Sequence, residues 1–101
     1  MAYLKTPEEC ESITDIRTEI DELDKQIIYL LGERFKYVKA ASKFKKDQAT
    51  VRDPERVKRV MELRRQWASE QGLSADVIEN IYADLINYFI AEEMKEWKKN
   101  E

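Results

Sequence analysis

The chain has no histidine, and its 101 residues include one cysteine (Cys10), two glycines (Gly32 and Gly72) and two prolines (Pro7 and Pro54). Each scarcity removes a class of explanation. Without imidazole there is no histidine-based acid–base relay, and zinc centres, which draw on histidine and cysteine, are all but excluded. A lone thiol cannot build a disulfide framework, so a reducing compartment, the cytoplasm, is expected. No uncharged span approaches the roughly 20 residues of a membrane helix, and the opening "MAYLKTPEEC" lacks the apolar run of a secretion signal. Little glycine and proline, with no low-complexity linker or internal repeat, points to an all-α domain with few turns.

Eighteen basic and 21 acidic side chains are interspersed and leave a net charge of -3, which argues against a nucleic-acid or anionic-membrane surface. The length suits one domain, residues 1–101. With 43% apolar residues a core is possible, but a single copy of this size buries a modest share of its surface, so oligomerisation is plausible.

Ser12 and Thr14 are both able to cap a first helix, and Ser12 with Asp15 three residues on resembles a capping box. Ile16, Ile20, Leu23, Ile27, Leu30, Leu31, Val38 and Ala41 then follow at helical spacing. The helix should be about 30 residues long, roughly 45 Å. A rod of that length outruns the rest of its own chain, so a second protomer is the expected cover. In "VRDPERVKRVMELRRQWASEQGLS", Asp53 is a good N-cap, Pro54 fits the first helical position and Gly72 a C-terminal stop. A second helix is expected from Pro54 to Gln71, with Val57, Val60, Met61, Leu63, Trp67 and Ala68 as its apolar stripe. Ser74 caps a third, whose stripe includes Ile78, Leu85, Ile86, Phe89, Met94 and Trp97. Between the first two helices, residues 46–52 offer only Ala49 and Val51 as apolar anchors. The segment reads as a lid with little to tie it down.

Two charges interrupt apolar stripes, Arg34 on the first helix and Glu93 on the third. An isolated cation on a dry face costs several kcal/mol, in the range of ~3–5, unless an anion meets it. Lys45 stands eleven residues after Arg34. On a continuous helix both would project from one face with Cα atoms roughly 16 Å apart. Arg17 points away from that face and reaches the same ligand only from another chain; Arg56 completes a set of four cations. Plainer readings exist for each. Arg17 can pair with Asp21, Lys45 can offset a helix macrodipole, Arg56 can be surface charge, and Arg34 can pair with Glu93. Tyr82, Phe89 and Trp97 are by default core, and Cys10 is incidental.

The segments "ITDIRTEIDELDKQIIYLLGERFKYVKAASKFK", "VRDPERV" and "GLSADVIENIYADLINYFIAEEM" resemble the all-helical chorismate mutase family over nearly the whole chain. "KTPEEC", "YVKAASKFK" and "IAEEMKEW" are most similar to its isochorismate-pyruvate lyase branch, which makes salicylate in siderophore pathways. The resemblance implies an intertwined homodimer of three-helix protomers with two equivalent sites and no cofactor or metal. It implies that Arg17 is donated across the dimer to a substrate carboxylate and that Arg34 binds a carboxylate within its own pocket. Lys45 would contact the ether oxygen whose bond to the ring breaks. Arg56 would lie at the pocket entrance, and Glu93 would stand where a side chain, often glutamine, bonds the same oxygen. Asp53, Val57 and Phe89 complete the expected substrate-binding set.

Lyase and mutase differ in small ways. Dedicated mutases of the family usually carry a glutamate directly after the arginine matched by Arg56, and here that position is Val57, which favours the lyase. "VRD" at 51–53 is more similar to the mutases, with Asp53 able to meet a ring hydroxyl through its backbone. The expectation is an isochorismate-pyruvate lyase with weak chorismate mutase activity, with chorismate mutase as the alternative. A non-catalytic helical interaction module is the reading from a different class.

Overall fold

The computed structural model describes residues 5–99. Its regular elements are all helical: α1 (Ile13–Ala41), α2 (Gln48–Arg52), α3 (Pro54–Glu70) and α4 (Ala75–Lys99), with 3-10 turns at Pro7–Glu9 and Ser42–Phe44. This is the all-α class expected, with three long helices. The chain divides into two compact units, Met1–Lys36 and Tyr37–Glu101. None of the described helices is long and apolar enough to cross a membrane.

The first unit holds most of α1. The Ser12 hydroxyl accepts the Asp15 amide at 3.1 Å, as a cap should. The Asp15 carboxylate reaches back one residue further than a capping box requires, accepting the Glu11 amide at 3.0 Å, and it also meets Lys5 Nζ at 3.1 Å. These contacts, the Glu11 amide first, hold the Asp15 carboxyl below its ordinary range. Beyond the cap, the apolar stripe stays open in the single chain. Ile20, Ile27 and Leu30 are 49%, 51% and 55% exposed, more than isolated apolar side chains on a folded surface would explain.

In the second unit α1 ends at Ala41, the last position of the expected stripe, and does not run on to Lys45. The Ser42 hydroxyl donates to the Lys39 carbonyl at 2.6 Å and a 3-10 turn follows. Such local bonding competes with helix continuation. Lys45 is therefore not on a helix but in extended backbone, φ −93° and ψ 138°. The single-face geometry expected for Arg34 and Lys45 does not apply.

The supposed lid also differs from expectation. Asp47 caps α2, accepting the Thr50 amide at 2.8 Å and the Thr50 hydroxyl at 2.7 Å. Val51 is buried to 2% exposure, which stabilises the segment by about 1.5–3 kcal/mol. Asp53 is both the C-cap of α2 and the N-cap of α3, at φ 38°, and its carboxylate accepts the Arg56 amide at 3.2 Å. The left-handed conformation, tolerated by aspartate, lets two helices meet at one residue.

α3 stops as the sequence predicted. Gly72 is left-handed at φ 75°, and the Leu73 amide bonds back to the Ala68 carbonyl at 2.9 Å. Ser74 caps α4 through the Val77 amide at 3.2 Å. Val51, Val60, Ala68, Ile86 and Phe89, drawn from α2, α3 and α4, form the buried apolar centre. Trp67, expected on the inner stripe of α3, is exposed, with the Arg64 guanidinium 4.7 Å above its ring.

Candidate active site

On α4, Phe89, Glu93 and Trp97 follow at four-residue intervals and so share a face. Phe89 and Glu93 are buried. The chain between the 3-10 turn and α2 runs past this face and brings Lys45 to it. Lys45 Nζ lies 3.5 Å from Glu93 Oε2, the side chains being 20% and 8% exposed. The ammonium also donates to the Thr50 carbonyl at 3.2 Å. Trp97 Nε1 donates to the carbonyl of Lys45 at 3.0 Å. Glu93 thus has Lys45 as an ion-pair partner.

Burial pushes the Glu93 carboxyl above its ordinary range; the charge and hydrogen bond of Lys45 pull it down, and the Asp53 carboxylate pushes it up again. The net direction is upward, so burial outweighs the neighbouring cation. The result is an ammonium beside a carboxyl that holds its proton more readily than usual. When that carboxyl carries its proton, the two are hydrogen-bond donors in a poorly solvated place, suited to an oxygen on which negative charge develops.

The remaining expected site residues fall in two groups. Asp53, Arg56 and Val57 lie at the α2–α3 junction and the first turn of α3; Asp53 acts electrostatically on Glu93, Val57 is half-buried and Arg56 is exposed. Arg17 and Arg34 belong to the first unit, where Arg17 is exposed and Arg34 half-buried. An open groove of about 420 Å³ is lined by Arg52, Ile90 and Met94 among others; neither Lys45 nor Glu93 lines it. Among the described residues no cluster of histidine, cysteine, aspartate and glutamate is arranged to hold a metal.

Sequence reasoning missed two participants beside Lys45 and, in the first unit, one buried charge. Thr50 acts through its carbonyl, which no side-chain pattern reports. Trp97 was assigned to the core on periodicity, whereas its indole N–H makes a directed bond to a residue 52 positions away. Glu19 is buried on α1. It stands three residues after Ile16 and four before Leu23, a spacing that carried the signal.

The chorismate mutase type II family model matches residues 16–94, a stretch that contains all eight expected site residues. The chain is 45% identical over 96 residues to the isochorismate pyruvate lyase of Pseudomonas aeruginosa, covering 95% of each chain. It is 36% identical over 72 residues to the T-protein of Haemophilus influenzae, covering 70% of this chain and 19% of that protein.

Proposed function

The chain belongs to the chorismate mutase type II family, and on that premise we propose that it is an isochorismate-pyruvate lyase, with a weak chorismate mutase activity, working in the cytoplasm as a homodimer. The observation that carries the reading is the pair of half-buried Lys45 and buried Glu93, 3.5 Å apart, in a chain that has no histidine and therefore suits a reaction needing no proton relay.

The reaction is a pericyclic elimination. The bond between the ring carbon and the ether oxygen breaks, a ring hydrogen moves to the enolpyruvyl methylene, and salicylate and pyruvate leave with all atoms accounted for. No cofactor takes part. Catalysis consists of holding a flexible dianion in its compact conformer and placing donors where charge builds on the departing oxygen. Lys45 and, when it carries its proton, Glu93 are those donors. Arg34 and, from the partner protomer, Arg17 clamp the two carboxylates as planar forks. Arg56 stands at the mouth, and Phe89, Val57 and Asp53 bound the ring. The homodimer covers the exposed Ile20, Ile27 and Leu30 stripe of α1 and supplies Arg17, making the 101 residues one domain whose site is completed by a second copy.

Chorismate mutase is the second reading, favoured by Asp53, whose carboxylate acts on Glu93 and whose backbone would meet a ring hydroxyl in that reading. Incubating the purified protein with isochorismate while following salicylate fluorescence, and separately with chorismate while assaying prephenate, separates the readings. Salicylate formation faster than prephenate formation is expected. Prephenate alone would make the protein a mutase, and inactivity on both would leave a helical interaction module.

A further inference from the structure

A lysine that must place its ammonium against one substrate oxygen needs a fixed backbone beneath a long, rotamer-rich stem. Lys45 has no helix to supply it. Its backbone is extended, and its amide donates to the Ser42 carbonyl of the preceding turn, at 3.2 Å. What fixes residue 45 comes from α4. Trp97 Nε1 donates to its carbonyl at 3.0 Å, and Glu93, one turn earlier on the same helix, faces its ammonium at 3.5 Å. The Thr50 carbonyl of α2 takes a third hold, at 3.2 Å. α4 therefore grips one residue at both ends, by backbone and by side chain.

We infer that Trp97 is a positioning residue: its indole N–H, bonded to the Lys45 carbonyl, holds the backbone from which the Lys45 ammonium reaches Glu93 and the reacting oxygen. Trp97 lies three residues beyond the stretch that the family model matches. Its kinetic consequence rests on the proposed lyase reading; its structural consequence does not. A purely packing role would need the ring alone, so the N–H is the atom to remove.

The test replaces Trp97, in a Trp67→Phe parent, by β-(3-benzothienyl)alanine, which keeps the shape of indole and has no donor; Trp97→Phe is the second variant. Two quantities are read: turnover of isochorismate, and the titration of Glu93 followed by carboxyl carbon NMR. The charged groups facing Glu93 are Lys45, from the link before α2, and Asp53, from the α2–α3 junction. Loosening Lys45 weakens a cation that pulls the carboxyl down, so the Glu93 midpoint moves to higher pH in both variants. With the analogue, kcat falls about 3- to 10-fold, the worth of one hydrogen bond, while KM stays close to the parent's because the arginines carry the carboxylates. An unmoved Glu93 titration with the analogue overturns the inference whatever kcat does. If the parent turns over neither isochorismate nor chorismate, the lyase reading falls, and the Glu93 titration still decides the role of Trp97.

Discussion

Glu93→Gln separates the two states between which the buried carboxyl is balanced. At 3.5 Å the Lys45 ammonium favours an ionised Glu93 by roughly 5 kcal/mol at an effective dielectric of ~20. Burial opposes this, Asp53 assists burial, and the carboxyl ends above its ordinary value of 4.5. A protonated carboxyl donates to the departing ether oxygen, whereas an ionised one repels the charge developing there and occupies Lys45. The rate constant at saturating isochorismate should therefore be greatest at low pH and decline as pH rises through the Glu93 titration. Glutamine donates at every pH, so the variant should lose the descending limb. At pH ~9 it should exceed the wild type by about 10- to 100-fold, toward the low end for a preorganised donor because Lys45 remains in both proteins. Stability follows the same sign. A carboxyl whose folded value is raised contributes stability that is fully present below 4.5 and is lost as pH rises through the folded value. Thermal melts should accordingly shift in favour of Glu93→Gln as pH rises above 4.5, Lys45 keeping its bond to the Thr50 carbonyl. Superimposable pH–rate profiles would refute the donor role and leave Glu93 as a structural partner of Lys45.

Arg34→Ala should lower turnover by about a hundredfold or more while leaving a folded dimer; full activity in the steady-state assay would remove Arg34 from the pocket. Mixed dimers of Arg17→Ala and Arg34→Ala subunits should regain activity, because one of their two sites then holds both arginines. No recovery after subunit exchange, verified by mass spectrometry, would deny that Arg17 acts across the interface. Val51→Ala should destabilise the protein by about 2 kcal/mol in urea titration. It should also speed exchange of the Val51 and Asp53 amides, which bond the Asp47 and Ala49 carbonyls at 3.2 and 2.8 Å. Unchanged exchange would mean that α2 is held by something other than its buried valine.

Signals that act within a few residues were legible. Asp53 with Pro54, Gly72 and Ser74 mark the ends of α3 and the start of α4 by bonds that span three to five positions, and the structure has each of them. That α1 stops short of Lys45 was not legible, because the break goes with the Ser42 hydroxyl donating to the Lys39 carbonyl in a stretch with neither glycine nor proline. α2 was missed because five residues are too few to show a period and because burial of Val51, which holds the segment, depends on what α3 and α4 place around it. Trp67 kept the right spacing but not the right side, since an amphipathic stripe does not say where its edge falls.

The candidate site divides in the same way. That Arg34 and Glu93 are out of place on apolar stripes follows from the sequence alone, since helical periodicity is a property of the local chain; so does the lack of any histidine, which narrows the chemistry before any fold is known. Which cation meets Glu93 was left open by the sequence, and a continuous first helix would have put Lys45 on the face of Arg34. The end of α1 at Ala41 and the Trp97 bond to the Lys45 carbonyl bring the ammonium to α4 instead. The direction in which Glu93 titrates likewise needed the fold. Burial and an adjacent cation push a carboxyl in opposite directions, and the balance is set by distances and by loss of solvent, to which residues far apart in the chain contribute together.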